Sequence, residues 1–387
     1  MDPVFFALVL IPIAIPLVGK FLLRLDISWL EWALIAVICV AMLAGLWYGT
    51  KLSAANDREV WNGAIVSKDV DRERCYTNML PRVCSQSYSC NCHQVCSTST
   101  DSKGNRTESC HQECDTCYRY SWEQDWNARS TLNAYTISRV DAQGAREPSR
   151  WTRIKTGDPV AATRPYQNWV AASANTVFRD SKAQAERFEA ILPDYPIGVF
   201  DYYRIDRVVT PNLRIANEAQ WNSELSKMLS VVGPRRQMNM IVVFVNAPQE
   251  FATGLRYHWK GFKKNDAVMV VGVQGGLVTW SQTMSWSKNA SFDIEMRNLI
   301  SAYRGQPVAN LNPAVVMPQI GQIASRSFVR RSMEEFEYLK SDIPPPKWLI
   351  WTEIILGLLL SGVATYVFHR VDLDDALFNR SASRRYY

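Results

Sequence analysis

Three long apolar runs constrain the fold of this chain more than any other feature. They cover residues 4–23, 32–48 and 348–368. A membrane-spanning helix needs roughly 20 mainly apolar residues, with a usual range of about 17–25, and each run fits. Because a short connector separates the first two runs, they predict a helical hairpin over residues 1–50. Residues 344–369, which begin with three prolines, predict a stiff linker followed by a third span.

Basic side chains predict the orientation of these spans, since Lys and Arg in short flanking segments favour the cytoplasm. Lys20 and Arg24 flank the hairpin turn, and arginines recur in the tail 370–387. We therefore expect a multi-pass protein of the inner (plasma) membrane. Its partners then include the lipid bilayer. The N-terminus and residues from about 50 to 347 are expected outside, and the tail in the cytoplasm. A cleaved signal peptide is the alternative, but its basic start and small-residue cleavage site are missing.

Eight of the nine cysteines lie in one short polar segment that starts the exterior region. The segment has too few apolar residues to build its own core, so it needs disulfides or a metal ion. We expect it to belong to a cysteine-rich β module over residues 51–170. The eight cysteines are Cys75, Cys84, Cys90, Cys92, Cys96, Cys110, Cys114 and Cys117.

The spacing of these cysteines leaves two interpretations open. The pattern CHQxC occurs at 92–96 and again at 110–114, and two such clusters separated by a loop resemble the halves of a zinc ribbon. In that case zinc is a cofactor, and His93 and His111 are alternative ligands. An oxidising exterior instead favours four disulfides. Under either interpretation the role of the segment is structural.

The second half of the exterior region alternates between helical and strand patterns. Helices are predicted over 218–232 and 249–259, and the continuous apolar runs 240–245 and 267–273 predict buried strands. Gly233-Pro234 is expected to end the first of these helices. This alternation predicts an α/β layer with a partly parallel sheet. The expected fold is therefore α/β plus a small β-rich, cysteine-stapled module and three transmembrane helices.

The order helix, strand IVVFV, helix ending in Trp, loop KGFKKNDAV and strand VMVVGV is similar to that of the TPM-domain family. This resemblance covers roughly residues 205–340. The Gly-Tyr-Gly that the family carries after the next strand is missing here. The resemblance implies a TPM-like domain over residues 171–343, outside the cytoplasm beside a membrane helix. It also implies an assembly or repair role, with phosphatase activity and calcium binding suggested for some members. The residues at the motif positions are Trp259, Lys260, Gly261, Lys264, Asn265 and Asp266.

The KGFKKNDAV loop is the candidate ligand-binding site. An acidic residue at the mouth of a sheet strand occupies a position where α/β folds place ligands. Two lysines in the loop could hold an anionic group, and Asp266 with neighbouring aspartates could bind Ca²⁺. The other interpretation is a turn with a solvated lysine face. The candidate residues are Asp266, Asn265, Lys264, Lys263 and Trp259.

Motifs for nucleophilic, metalloprotease or phosphate-loop chemistry do not occur in the sequence. The net charge of +6 is spread along the chain without a nucleic-acid-binding motif, so nucleic acid is not an expected partner. Our leading hypothesis is a non-enzymatic binding or assembly factor at a bacterial or phage-modified envelope, whose partners are other membrane or envelope proteins. The alternative is a metal-dependent, phosphatase-like hydrolase centred on Asp266.

Overall fold

The computed structural model describes residues 3–25, 27–74, 88–100, 106–117, 120–173, 182–196 and 206–371. Each predicted span is a helix long and apolar enough to cross a membrane, so we treat the chain as a membrane protein. These helices are α1 (Pro3–Phe21), α2 (Trp29–Ala54) and the C-terminal helix (Lys347–Val371).

The three helices form one bundle in which α1 and the C-terminal helix run in the same direction. Gly357 of the C-terminal helix lies against Ile11 of α1, and Thr365, two turns further on, lies against Gly19. Because α2 returns antiparallel to α1, the chain between α2 and the C-terminal helix lies at one end of the bundle. This arrangement agrees with the predicted topology, in which the large region occupies one side of the membrane.

The β module contains two antiparallel sheets. Its strands are β1 (Asn56–Arg74), β2 (Tyr88–Thr100), β3 (Arg106–Cys117), β4 (Trp122–Ser130), β5 (Ala134–Ile137) and β6 (Pro159–Gln167). The larger sheet has the order β5-β4-β1-β6, and β2 pairs only with β3. Short helices α3 (Ser149–Arg153) and α4 (Trp169–Ala172) belong to this part of the chain, and α5 (Lys182–Arg187) follows it.

Strand β1 begins two residues after α2 ends and is much longer than the sequence suggested. Only residues 63–67 carry a strand-like pattern, yet 19 residues are extended. The first half pairs with β6 and the second half with β4. The second half alternates charged residues with few apolar ones, so its strand structure depends on pairing rather than on an apolar face.

The second unit is a mixed α/β layer. Its elements are β7 (Val208–Val209), α6 (Glu218–Arg236), β8 (Asn239–Val245), α7 (Glu250–His258), β9 (Asp266–Gln274), β10 (Leu277–Ser285), α8 (Ser291–Ser301), α9 (Pro313–Ser327) and a 3₁₀ segment (Met333–Asp342). The sheet order is β10-β9-β8-β7; β7, β8 and β9 are parallel, and β10 is antiparallel. The predicted partly parallel sheet is confirmed.

Alternate residues of β8 and β9 point into two separate cores, as expected for strands buried on both faces. On one face, Phe244 packs with helices α6, α8 and α9 through residues such as Trp221 and Phe292. On the other, Val243 packs with α7 and the α5 region through Phe251 and Phe188.

Helix α6 passes through Gly233-Pro234 and ends at Arg236, so the predicted stop is wrong. Pro234 lies in the last turn and has no N–H to donate to the carbonyl four residues earlier, so it removes one helical hydrogen bond without ending the helix. Gly233 is required by close packing, because a Cβ there would lie 2.6 Å from the Cβ of Asn62 on β1. Gln237 is the C-cap residue of the helix and adopts a left-handed conformation with φ of 53°.

The region between α2 and the C-terminal helix packs directly onto the ends of the spans. Ile343, just before the predicted proline linker, is buried in a cluster with Ala55, Trp169 and Phe336. These residues come from the end of α2, from α4 and from the 3₁₀ segment. The prolines therefore do not hold the folded region away from the bundle.

Candidate functional site

The loop after α7 has an unusual backbone. Lys260 N–H donates to Tyr257 O (3.0 Å) and Gly261 N–H donates to Arg256 O (2.8 Å), the pair of bonds that defines a Schellman helix end. Lys260, Gly261 and Phe262 have φ of 52°, 81° and 68°. Two of these three are not glycine, and such residues cost energy in this region. The turn buries Phe262 and directs the next backbone N–H towards Asp266.

Asp266 is completely buried, and the chain itself supplies its hydrogen-bond donors. Asn239 Nδ2, Tyr195 O–H and Lys263 N–H each donate to its carboxylate at 2.8 Å. Burial raises the pKa of Asp266 to about 6, against the opposing effect of these hydrogen bonds. Because both oxygens already accept hydrogen bonds, Asp266 joins the loop to β8 and to residues 192–196.

Asp266 also lies at the opposite end of the parallel strands from the end where a ligand site is expected. It is the first residue of β9 and pairs in register with Asn239, the first residue of the parallel strand β8. Ligand crevices of open α/β sheets lie outside the carboxyl ends of the strands, whereas Asp266 stands at the amino ends.

A polar cavity of about 400 Å³ lies beside this network, between the end of α2, α4 and the end of α7. Two of the predicted residues, Trp259 and Lys263, line it. Lys263 forms an ion pair with Asp57 of β1, and Asn168 Nδ2 donates to the same carboxylate at 2.7 Å. Burial alone would raise the pKa of Asp57, but the charge and hydrogen bonds of Lys263 and Asn168 hold it below its ordinary value. The cavity therefore has a charged wall, with exposed His258 at its rim.

Lys264 and Asn265, two other predicted ligand residues, face β1 instead of the cavity. Asn265 is completely buried and donates from Nδ2 to Val60 O at 2.7 Å. Lys264 Nζ lies 3.9 Å from a carboxylate oxygen of Glu59, which also pairs with Arg330. These two side chains therefore join the α/β unit to strand β1 of the β module.

A buried arginine extends this contact and was not found by sequence reasoning. Arg207 Nη2 donates to Asn62 Oδ1 at 2.6 Å, and Asn62 Nδ2 donates to Met238 O at 3.0 Å. Burial lowers the pKa of Arg207 to about 10. The only sequence signal was a polar Asn within the apolar part of β1, and its partners lie more than a hundred positions away.

The two CHQxC patterns lie opposite each other on β2 and β3, which we call the cysteine hairpin. Disulfides join Cys92 to Cys114 and Cys96 to Cys110. These four sulfurs are therefore not available as zinc thiolates, and the disulfide interpretation is confirmed for them. Cys75 and Cys84, and the side chains of Cys90 and Cys117, lie outside the described residues. His93 and His111 are exposed on the hairpin.

Neither predicted metal has a ligand cluster in the described part of the chain. Among the residues that the structure covers, no group of three or more His, Cys, Asp or Glu side chains is arranged to hold a metal ion. At the KGFKKNDAV loop, the Asp266 carboxylate would have to give up chain donors to bind Ca²⁺.

Comparison with known proteins does not assign the cavity or the hairpin. The resemblance to TPM domains rests on the motif positions alone and stays a prediction. No protein-family model, no curated protein and no solved structure matches this chain.

Proposed function

We propose that this chain is a membrane-anchored binding or assembly factor at a bacterial or phage-modified envelope, and that the cysteine hairpin contacts its partner. One observation carries the proposal. The hairpin is braced by two disulfides, yet β2 and β3 make extensive contacts only with each other among the described helices and strands.

A ribbon braced in this way keeps a defined shape without packing on the other described helices and strands, and that shape is available to a partner. A two-stranded hairpin without a packed face is marginally stable in water, and disulfides supply the missing constraint. Its described side chains are exposed apart from partly buried Val95 and Cys114. Both outer edges of the β2–β3 pair lack a further strand in the described structure, and open edges can accept a strand from another protein.

Disulfides also support the predicted location. They persist in oxidising compartments and are rare in the cytosol. Cys92–Cys114 and Cys96–Cys110 lie in the region between α2 and the C-terminal helix, which stands at one end of the bundle. An exterior position for this region agrees with the basic residues at the hairpin turn and in the tail.

The hydrolase alternative has less support. A hydrolytic metal site at Asp266 needs carboxylate oxygens that can reach a cation. The oxygens of Asp266 already accept hydrogen bonds from Asn239, Tyr195 and Lys263 N–H. Losing those bonds would leave buried donors without partners, at a cost of about 1–3 kcal/mol each.

Site-specific photo-crosslinking in the native host tests the proposal. Gln94 on β2 and Gln220 on α6 are both exposed glutamines and make a matched pair for the photoreactive residue. We expect a discrete protein adduct from position 94 and none from position 220. The yield at 94 should fall in a Cys96→Ser/Cys110→Ser background, because the ribbon then loses its bracing.

Two results would contradict the proposal. Adducts of equal yield from both glutamines would show that the hairpin has no special role. Turnover of a phosphomonoester by the purified chain, lost in Asp266→Ala and retained in Asp57→Asn, would favour the hydrolase.

A further inference from the structure

A second cavity, of about 540 Å³, lies where the exterior region meets the bundle. It is bounded by the last turns of α2, by α4 and by the end of the 3₁₀ segment. Its volume is in the range of sites that bind small ligands. Its apolar walls are Trp47, Tyr48, Leu52, Trp169, Ile343 and two prolines, and its charged lining residues are Lys51, Lys340 and Asp342.

The length of α2 places this cavity at the membrane surface. From Trp29 to Tyr48 the helix rises about 28 Å, which is close to the roughly 30 Å hydrocarbon thickness of a bilayer. Aromatic rings stand at both ends of this interval, as is typical of the two membrane–water interfaces. Lys51 lies about 4.5 Å further along the axis, at the level of lipid headgroups. The cavity therefore spans the boundary between acyl chains and headgroups.

Buried tryptophans position the two lysines around the cavity. Lys51 Nζ lies 5.5 Å from the ring centroid of Trp47, and Lys340 Nζ lies 4.9 Å from that of Trp169. Both rings are buried, so they hold the ammonium groups in place through cation–π contact. Lys340 also pairs with Glu337 on the solvent side. The charged lining residues are two lysines and one aspartate, and Glu337, which pairs with Lys340, lies outside the lining.

We propose that this cavity binds a glycerophospholipid of the adjacent leaflet, with its phosphate between Lys51 and Lys340. The glycerol and upper acyl carbons would lie along Tyr48, which is half exposed and about one helical turn closer to the membrane centre than Lys51. The two lysines can donate to a phosphate, and the apolar wall can contact an acyl chain. The cavity also lies at the depth where a phospholipid joins its phosphate to its acyl chains. A free phosphate would use only the lysines.

Native mass spectrometry of the full-length, delipidated chain tests this site, with dioleoyl phosphatidylglycerol as the probe. We expect one tightly retained lipid in the wild type. Lys51→Gln/Lys340→Gln should weaken retention by about tenfold or more, because it removes both charge-assisted contacts to the phosphate. Lys155→Gln/Lys227→Gln removes the same charge from the exposed surface and should leave retention unchanged.

A single variant and a competing soluble phosphate complete the test. Lys340→Gln alone changes an exposed side chain and should give an intermediate loss with an unchanged Tm, even if the double variant folds poorly. Glycerol 3-phosphate should not displace the lipid; equal displacement would show a phosphate site without lipid selectivity and would overturn the proposal. Equal retention by wild type and a well-folded Lys51→Gln/Lys340→Gln variant, or an equal loss in the Lys155→Gln/Lys227→Gln control, would also refute it.

Discussion

Replacing Asp266 with asparagine should remove a specific pH dependence from the stability of this protein. The carboxyl has a pKa of about 6 in the folded chain, against an ordinary value of 3.8. Because the folded state binds the proton more tightly, protonation stabilises it, and stability falls as the pH rises from about 4 to 6. The hydrogen bonds from Asn239, Lys263 N–H and Tyr195, together with the charge of Lys263, limit the shift but do not reverse it.

The magnitude follows from the difference of about two pKa units. At about 1.4 kcal/mol per unit, ionising Asp266 lowers the free energy of unfolding by about 3 kcal/mol in total. About 2 kcal/mol of this loss falls between pH 4.5 and 7. With about 2 °C per kcal/mol for a folded unit of this size, the wild-type Tm should change by about 4 °C more than that of the variant across this window.

The assay is thermal unfolding of wild type and Asp266→Asn in the same detergent at closely spaced pH values. Other titrating groups affect both proteins equally, so the difference between the two curves isolates Asp266. Asn239 can rotate its amide to meet the new side chain, so the variant should fold. Parallel curves from pH 4.5 to 7, or a wild-type stability that gains relative to the variant as pH rises, would refute the reasoning.

Three further substitutions give separate tests of the packing. Gly272→Ala should lower stability by about 1–3 kcal/mol in chemical denaturation, because its Cβ would lie 2.0 Å from Trp280 Nε1, whereas Gly45→Ala, in open space on α2, should be neutral. Glu353→Gln should keep or raise the Tm, because the wholly buried Glu353 carboxylate has no hydrogen-bond donor among the described residues; a clear fall would contradict this. Cys96→Ser should expose the thiol of Cys110 to maleimide in the folded protein, as mass spectrometry would show, and an unlabelled thiol would argue against that pairing.

The parts of the fold that were predictable depend on local pattern. The spans follow from runs of apolar residues, and β8 and β9 follow from short continuous apolar runs between helices. Strand β1 was mostly missed because its outer half is charged and is held by pairing with β4. The stop at Gly233-Pro234 was wrong because contact with Asn62, which no local pattern reveals, favours glycine there.

The candidate site was predictable only in part for the same reason. Trp259 and Lys263 were found because the loop that carries them is conspicuous after an amphipathic helix. The partner of Lys263 is Asp57, 206 positions earlier, and that separation carries no signal in a single sequence. Cysteine number and compartment favoured disulfides, but the connectivity depends on the register of β2 against β3.

The near-direct passage from α2 into β1 has a mechanical consequence. One residue separates the membrane helix from a strand of 19 residues, and such a strand measures about 60 Å from end to end. The strand is not free over this length, because β6 pairs with its first half and β4 with its second half. A rotation of α2 in the membrane should therefore pass to β6 and β4 through backbone hydrogen bonds, without a flexible linker to absorb it.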